Sequence, residues 1–267
     1  MDFCDVDSEK WAQYASHFSF PTNWIYKMES RRLLAFEKKI NAWFDASVFV
    51  SKPEADLFKR LVPDAARVDH VTNGVDHLYF SPGKNFNKPV NSTKVLMFPG
   101  VMDYHANVEA VLWFCDKVLP LVLVELPDLR FDIVGNSPTK QVRALAKEKH
   151  IRVTGFVEDI RPYYEGADLC VIPLKIARGM QNKVLEAMAM ARPVVATGAA
   201  LEGIDAAHGV LVRQADDPKT FAREILDLIR NADRACETGR AARQHVKNHF
   251  SWETAMVKLE GILADGL

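Results

Sequence analysis

Cysteine is scarce in this sequence, and its few cysteines stand far apart. The chain has 267 residues and four cysteines: Cys4, Cys115, Cys170 and Cys236. No two of them form a Cys-x-x-Cys pair, and no cysteine or histidine spacing matches a metal site. Cys115 and Cys170 lie in apolar runs, where a cysteine is ordinarily a buried free thiol. We therefore expect no disulfide framework, no metal and a reducing cytoplasmic environment.

Long apolar runs and a secretory leader are lacking too. No run of about 18 apolar residues occurs, so the sequence predicts no membrane-spanning helix. The stretch from Met1 to Asp5 is acidic where a signal peptide is basic. Both absences favour a cytoplasmic protein.

An excess of positive charge is also missing. Lys and Arg total 34, Asp and Glu total 35, and the formal net charge is −1. Because binding to nucleic acid by bulk charge requires a large basic excess, we expect no nucleic-acid partner. No internal repeat or low-complexity segment stands out. The composition is that of an ordinary globular protein, with enough chain for two domains.

Short apolar runs alternate with amphipathic segments over most of the chain, which predicts an α/β fold with a mostly parallel sheet. The best-defined domain covers residues 93–250. Its expected strands are 94–97, 131–134, 151–153, 168–172, 193–196 and 209–212. Its helices are expected at 106–123, 138–149, 158–165, 181–190, 217–230 and 232–248.

Residues 1–74 contain too few strands for a complete domain of the same kind. Strands are expected at 2–5, 46–50 and 67–71, and helices at 22–43 and 52–61. The apolar residues of the first helix are Trp24, Leu33, Leu34, Phe36, Ile40 and Trp43. We interpret this portion as the second half of a Rossmann-like domain and expect the chain to begin within that domain.

Two further segments complete the predicted organisation. Residues 75–92 are rich in Asn, Pro and Gly, as interdomain linkers tend to be. Residues 251–267 are expected to form a C-terminal helix capped by Ser251, with a return to the front portion left open.

Small residues follow most of the predicted strands of the larger domain. Gly100, Gly135, Gly155 and Gly198 each come at or just after a strand end. In an open parallel sheet, ligands bind outside the carboxyl ends of the strands, where glycine lets them approach the backbone. We expect the ligand site at this edge because glycines follow most of the strands, although for any single glycine a simple turn is the favoured interpretation.

The segment from Pro173 to Thr197 gives the sharpest functional signal. A buried strand ends at Pro173, a loop contains Gly179, and a helix begins near Gln181 or Asn182. The free N–H groups and dipole of a helix start favour an anion such as a diphosphate. Lys183 can add a charge for phosphate, and Glu186, one turn later, can accept ribose hydroxyls. The alternative interpretation is a surface Lys–Glu pair on an amphipathic helix.

This segment and several others carry a family resemblance. The other matching pieces are Asn73-Gly74-Val75-Asp76, Gly155-Phe156-Val157, Ala167-Asp168-Leu169 and the loop from Pro99 to Asn107. Together they resemble the group-1 retaining glycosyltransferases of the GT-B fold over nearly the whole chain. Residues 5–11 and 176–186 look most like bacterial glycosyltransferases of PEP-CTERM exopolysaccharide systems. The resemblance implies a complete C-terminal Rossmann-like domain and an incomplete N-terminal one.

The resemblance also implies a reaction and a set of site residues. A sugar would pass from a UDP- or GDP-sugar to a saccharide or lipid-linked acceptor in exopolysaccharide synthesis, with no cofactor. The implied donor-binding residues are Gly100, Val157, Arg178, Gly179, Met180, Gln181, Asn182, Lys183 and Glu186. Glu186 matches the second Glu of the family's Glu-x7-Glu motif, which holds the donor ribose. The catalytic candidates are Asp5, which lies where the first domain turns toward the donor sugar, and Arg178.

The sequence departs from the family pattern in the same region. Arg178 stands where the first Glu of the motif would fall, and Val101 and Ala106 occupy the loop that usually carries Arg and Lys. We hypothesise that Arg178 and Lys183 supply the missing phosphate charge. Ala191 stands where the family usually has Gly, and a left-handed backbone there costs about 1 kcal/mol with Ala.

Several alternatives stay open at this point. The basic residues of the helix at 22–43 suit either a solvated face or contact with anionic lipid at the inner face of the cytoplasmic membrane; they are Lys27, Arg31, Arg32, Lys38 and Lys39. Asp103 and His105 resemble an acid–base pair but are interpreted as surface-loop residues. The whole chain is an active transferase, a truncated nucleotide-sugar-binding protein without transferase activity, or a non-enzymatic module on the same fold.

Overall fold

The structure is a computed structural model that describes residues 1–83, 93–177 and 179–264. Within these ranges the strands form two parallel sheets. The strands are β1 (Asp2–Cys4), β2 (Ser47–Phe49), β3 (Val68–His70), β4 (Val95–Pro99), β5 (Arg130–Val134), β6 (Ile151–Val153), β7 (Leu169–Ile172), β8 (Val194–Ala196) and β9 (Arg213–Gln214).

The described α-helices lie mostly between these strands. They are α1 (Asp7–His17), α2 (Thr22–Asn41), α3 (Lys52–Leu61), α4 (His105–Trp113), α5 (Leu119–Glu125), α6 (Lys140–Leu145), α7 (Arg161–Gly166), α8 (Asn182–Ala189), α9 (Pro218–Arg230), α10 (Ala232–His249) and α11 (Trp252–Ala264). Part of the predicted linker, residues 84–92, and the last three residues of the predicted C-terminal helix lie outside the described ranges.

The larger sheet has the strand order β6-β5-β4-β7-β8-β9, and every pairing is parallel. The order therefore reverses at β4, which pairs with β5 on one side and with β7 on the other. All five residues of β4 are buried, as is typical of a strand covered on both faces by helices. The predicted α/β fold with a parallel sheet is confirmed.

The sixth predicted strand is displaced along the chain. Residues 209–212 were expected to be extended, but they form a turn, and β9 follows at Arg213–Gln214. The turn has positive φ at Gly209, and the N–H of Leu211 donates to the carbonyl of Ala207. The apolar run Val210-Leu211-Val212 looked like a buried strand, yet Val210 is largely exposed.

The predicted helix at 106–123 is interrupted. A π-helical turn at Phe114–Val118 separates α4 from α5. Pro120 lies at the start of α5, and because proline has no N–H, the regular hydrogen-bond ladder cannot run unbroken through this point. The remaining helices of the larger sheet begin and end within a few residues of the predicted positions, and Asp217 caps α9 through the N–H groups of Lys219 and Thr220.

The front portion contains a helix that the sequence did not predict. Helix α1 packs against α2, with the rings of Trp11 and Tyr26 5.3 Å apart. Its first turn is held by two buried carboxylates from other helices. Glu54 accepts from the Val6 N–H at 2.7 Å, and Glu37 accepts from the Ser8 N–H at 3.0 Å. These acceptors satisfy N–H groups that α1 itself leaves open.

Burial along α2 differs from what its apolar residues suggest. Glu37 and Asn41 are buried, whereas Trp24, Phe36 and Trp43 are more than half exposed. The inner face of α2 faces α1 and the small sheet, where Glu37 caps α1 and the Asn41 amide donates to the hydroxyl of Ser47, the first residue of β2. The large aromatic side chains are therefore left on the outer surface.

Helix α11 returns to the small sheet. Val75 of the connecting segment pairs with Ser251, and the Ser251 hydroxyl accepts from the Thr254 N–H to cap α11. Lys258 of α11 donates to His70 at the end of β3 at 2.8 Å. This helix thus joins the end of the larger domain to the front portion.

The end of α8 is closed by a Schellman motif. The N–H of Ala191 donates to Met188 O and the N–H of Arg192 donates to Ala187 O, each at 2.9 Å. Ala191 has φ +52, as its position past the helix predicts. An alanine is strained in this left-handed conformation.

Substitution Ala191→Gly should raise the free energy of unfolding by about 0.5–1 kcal/mol, because the left-handed backbone costs glycine little. The matched control is Ala241→Gly inside α10, which should lower it by about 1 kcal/mol because glycine is a poor helix former. Urea denaturation followed by circular dichroism measures both. A loss of stability in Ala191→Gly would contradict the strain.

Candidate functional site

A cleft of about 910 Å³ opens at the carboxyl ends of β4 and β5 and at the start of α8. The last residue of each strand and the two residues after it, from Pro99 to Val101 and from Val134 to Asn136, form its floor. The first turn of α8 forms one wall, and Val157 with its neighbours forms another. The cleft therefore lies where the strand order reverses, the position that an open parallel sheet offers to a ligand.

Two glycines bring the strand ends together at the floor. A β-carbon on Gly135 would lie 1.8 Å from the carbonyl oxygen of Gly100, and Gly135 has φ +149. The N–H of Gly100 donates to Val134 O, and the N–H of Met102 donates to Asn136 O. Only glycine fits at position 135, because any side chain there would meet the Gly100 carbonyl, and the two strand ends can therefore pack closely.

Lys183 is the sole cation among the described residues that line the cleft. It lies in the first turn of α8, and its Nζ donates to Asn107 Oδ1 at 2.5 Å and lies 4.8 Å from the centre of the Phe98 ring. Burial lowers the pKa of Lys183 to about 8, although the nearby Glu186 carboxylate acts in the opposite direction. A buried ammonium group with a neutral partner is placed to gain from a phosphate oxygen.

Asn107 links this lysine to the loop after β4. Its amide nitrogen donates to Val101 O at 2.9 Å while its amide oxygen accepts from Lys183. Asn107 is 5% exposed. Asn107 ends the loop that carries part of the family resemblance, but no role for it could be predicted. Its contact with Lys183 joins residues that are 76 positions apart in the chain.

Glu186 points into the cleft rather than away from it. It lines the cleft one turn after Lys183, and its Oε2 accepts from the Tyr164 hydroxyl at 2.9 Å. Burial raises the pKa of Glu186, while the hydrogen bond from Tyr164 and the charge of Lys183 lower it. Within the described residues Oε1 has no hydrogen-bond partner, so one carboxylate oxygen is available to ligand hydroxyl groups.

Tyr164 is a residue that the sequence did not single out. It lies on α7, is fully buried, and contacts Phe80 edge-on with ring centres 6.1 Å apart. Burial and the Glu186 carboxylate raise the pKa of Tyr164 well above 10. The hydroxyl therefore stays protonated and donates a hydrogen bond to Glu186. Its position on a short helix gave no pattern from which this role could be predicted.

The two portions of the chain meet beside the start of α8. A β-carbon on Gly179 would lie 2.1 Å from Asp5 Oδ1, and Gly179 has φ +63. The Asn73 side chain donates to Asn182 Oδ1 at 3.3 Å. Asp5, just after β1, thus touches the loop that leads into α8, and Asn73, after β3, touches the first residue of α8 itself.

The structure brings six of the nine residues implied as donor-binding to the cleft: Gly100, Val157, Gln181, Asn182, Lys183 and Glu186. Gly179 lies against Asp5 instead, and Met180 is 7% exposed and packs in the main core. Arg178 lies outside the described residues. Asp103 and His105 are exposed on the loop before α4 and at its first residue. The roles of all these residues stay predictions.

Aromatic residues border the far end of the cleft. Tyr79 lines it, and the Arg161 guanidinium lies 4.1 Å from the centre of its ring while bonded to Asp159. Phe156 also lines it and is 77% exposed. These rings offer a flat apolar surface to a ligand.

In the part of the chain that the structure describes, no group of three or more His, Cys, Asp or Glu side chains could hold a metal ion. None of the described helices is both long and apolar enough to cross a membrane.

Comparison with known proteins adds an independent finding. A family model described as "Glycosyl transferases group 1" matches residues 93–231, slightly more than half of the chain. A Klebsiella pneumoniae protein described as an uncharacterized 44.6 kDa protein in the cps region is 28% identical over 212 residues. That match covers 74% of this chain and 52% of the relative.

A second relative and a solved structure are similar over more of the chain. D-inositol 3-phosphate glycosyltransferase of Salinispora tropica is 27% identical, with 86% of this chain and 53% of the relative covered. The chain thus spans about half the length of these curated relatives. The structure of Anabaena HepE in complex with UDP and glucose is 16% identical, with a TM-score of 0.74 over 98% of this chain and 70% of HepE. That likeness shows a shared fold.

The close approach of Asp5 to Gly179 predicts that a side chain at position 179 destabilises the fold. Gly179→Ala should lower the free energy of unfolding by about 1–3 kcal/mol, because the new β-carbon meets the carboxylate and the backbone is left-handed. Adding Asp5→Ala should recover part of that cost, as a double-mutant cycle in urea would measure.

A matched control is Gly261→Ala in α11, where a β-carbon would meet nothing within 4 Å. It should be neutral or stabilising because alanine favours a helix. Strict additivity of Gly179→Ala and Asp5→Ala would show that the two residues do not touch.

Proposed function

Because this chain belongs to the group 1 glycosyl transferase family, we propose that its cleft binds a nucleoside diphosphate sugar and that the sugar passes to a saccharide or lipid-linked acceptor. The observation that carries the proposal is the start of α8. There Lys183 and Glu186, one turn apart, both reach the cleft, beside the closely packed backbone of Gly100 and Gly135. One turn of helix thus offers a cation for the diphosphate and a carboxylate for the ribose.

The electrostatics of α8 suit a leaving diphosphate. In the reaction the bond from the anomeric carbon to the diphosphate oxygen breaks, and a bond to the acceptor oxygen forms as its proton is released. Negative charge grows on the diphosphate, where the α8 N–H groups and Lys183 already point. Neither group has to reorganise, since Asn107 holds Lys183 in place.

Asp5 and Arg178 are the candidates for direct participation at the sugar. Asp5 reaches the loop of Gly179 from the front portion, so its carboxylate lies at the edge of the region where the sugar would sit. Closure of the two portions over the donor would exclude water and limit hydrolysis. The proposal includes retention of the anomeric configuration, as the family resemblance implies.

The descriptions of similar proteins support a particular donor nucleotide and a particular pathway. HepE is described in complex with UDP and glucose, which supports a UDP-sugar ahead of a GDP-sugar. The Klebsiella relative is described as a protein in the cps region, which supports exopolysaccharide synthesis and the resemblance to PEP-CTERM-associated enzymes. The alternative is a nucleotide-sugar-binding protein without transferase activity.

Titration of UDP and GDP, followed by calorimetry, tests the binding step. UDP should bind, and its affinity should fall by about tenfold between about pH 7 and about pH 9.5, because Lys183 loses its proton above pH 8 and with it a charge-assisted contact. Lys183→Arg should abolish this pH dependence, since arginine stays charged. Glu186→Gln should weaken binding by about tenfold at both pH values.

The matched control is Glu148→Gln, an exposed carboxylate far from the cleft. Equal affinity in wild type, Glu186→Gln and the control would overturn the proposed site. UDP binding without release of UDP from UDP-sugars in the presence of acceptor extract would support the alternative of binding without transfer.

We also propose that the protein lies in the cytoplasm and that α2 contacts anionic lipid there. Its outer surface and flanking residues carry exposed apolar side chains: Phe20, Trp24, Ile25, Phe36, Trp43 and Phe44. The same helix carries five cations, and Lys39 lies 5.3 Å from the centre of the Trp43 ring. Aromatic side chains beside lysine and arginine suit the interface of a negatively charged bilayer.

Cosedimentation with vesicles tests this contact. The chain should bind phosphatidylglycerol vesicles in a salt-sensitive way and phosphatidylcholine vesicles weakly. Replacing Trp24 and Phe36 with Ser should weaken binding by about tenfold or more, because each ring would leave the interface. The control pair Lys59→Gln and Arg60→Gln on α3 should change little. Equal binding to both vesicles, or a dimer that these replacements dissolve, would contradict the membrane contact.

A further inference from the structure

A second cavity, of about 700 Å³, lies at the opposite edge of the larger sheet. It is bounded by the residues that precede three strands: Lys94 before β4, Asp168 before β7 and Pro193 before β8. The end of α9 and one face of α10 complete it. Because the proposed donor cleft lies at the carboxyl ends of the strands, the whole sheet separates the two sites.

The charges in this cavity are strongly one-sided. Its described lining contains five cationic side chains and one carboxylate, that of Asp168, in a chain whose net charge is −1; the cations are Lys94, Arg192, Arg240, Arg243 and Lys247. The Nζ of Lys94 lies 3.5 Å from Oδ1 of Asp168 and forms an ion pair with it. Within the described residues Arg240 and Lys247 make no ion pair. Most of the positive charge is therefore not neutralised by the protein.

Part of the positive charge is held in a fixed position by hydrogen bonds, as Arg243 shows. Its guanidinium donates to the carbonyls of His77, Phe80 and Ala189 and to the Ser81 hydroxyl, all of them neutral acceptors. These hydrogen bonds hold the guanidinium group in place, and because their acceptors are neutral they do not compensate its positive charge. Burial lowers the pKa of Arg243, and that of Arg192 to about 10, so an added anion would stabilise both guanidinium groups.

The start of α10 adds to the same potential. Ala232 in its first turn lines the cavity. The side chain of Asn231, the residue that would cap this turn, donates instead to Asp227 at the end of α9. The first N–H groups of α10 thus have no side-chain cap. The opposite wall, formed by Leu228 and Ile229, is apolar and suits the carbon skeleton of an organic ligand.

We propose that this cavity is a second ligand site, distinct from the donor cleft, that binds a small organic anion carrying a diphosphate or two phosphate groups. Arg240 and Lys247, which lie on the same face of α10 two turns apart, make the direct contacts, and Arg243 and Arg192 supply the fixed positive charge behind them. No chemistry is required of the site. It gives the chain a binding site for an anion on the side of the sheet away from the donor.

Alkylation of Cys236 gives a local test, because this exposed thiol lines the cavity whereas the exposed Cys4 lies in the front portion. The probe is inorganic pyrophosphate, and the protein carries Lys183→Gln so that the cleft lacks its cation. Iodoacetamide labelling followed by mass spectrometry of the two cysteine peptides gives both rates in one sample. Millimolar pyrophosphate should slow labelling of Cys236 and leave that of Cys4 unchanged.

Variants establish which residues bind. The pair Arg240→Gln and Lys247→Gln should raise the pyrophosphate concentration needed for half protection by about tenfold or more, because two charge-assisted contacts are lost. The pair Lys59→Gln and Arg60→Gln should leave it unchanged. Unprotected Cys236, or equal protection in both paired variants, would overturn the proposal. Neither result depends on UDP binding, so failure of this site and failure of the proposed function are distinguishable.

Discussion

The buried Lys183–Glu186 turn is the constraint from which the rest of the site follows. Two charged groups enter the edge of a closely packed domain, where each would be costly without a partner. The cost is reduced by neutral groups, since Asn107 accepts from Lys183 and the Tyr164 hydroxyl donates to Glu186. Because both partners are neutral, the ammonium and carboxylate groups keep their charges for a ligand. The same partners hold the two side chains in place before any ligand arrives.

The front portion acts on this turn through a chain of polar contacts. Buried Glu54 and Glu37 cap the first turn of α1, and Asp5, two residues before α1, lies against Gly179. Three separate helices of the front portion therefore determine where one carboxylate meets the donor loop. Asn73 makes a second contact from the connecting segment to Asn182. The position of α8 relative to the front portion is thus set by side chains from both.

Neutral partners recur at the opposite edge of the sheet. Arg243 is fixed by carbonyl groups, as Lys183 is fixed by an amide, and in both cases the positive charge remains available. On α2 the arrangement is different, because polar groups occupy the buried face and aromatic rings the outer one. A chain with almost no net charge can therefore present three distinct surfaces, since the separation of charges and rings depends on packing and not on composition.

What the sequence determined by itself was the succession of strands and helices along the larger domain up to β8, the start of α8 near Asn182 and the strained alanine past its end. These depend on local signals: apolar runs of strand length, capping residues and the position of a residue past a helix. Tertiary structure alone decided that Asn107 and Tyr164 complete the site, that Asp5 reaches Gly179, and that α2 buries Glu37 while exposing Trp24 and Phe36. Each of these contacts joins residues far apart in the chain or depends on which face of a helix finds a neighbour. The physical reason is that a side chain's burial and partner are set by the elements packed against it, and no local pattern contains that information.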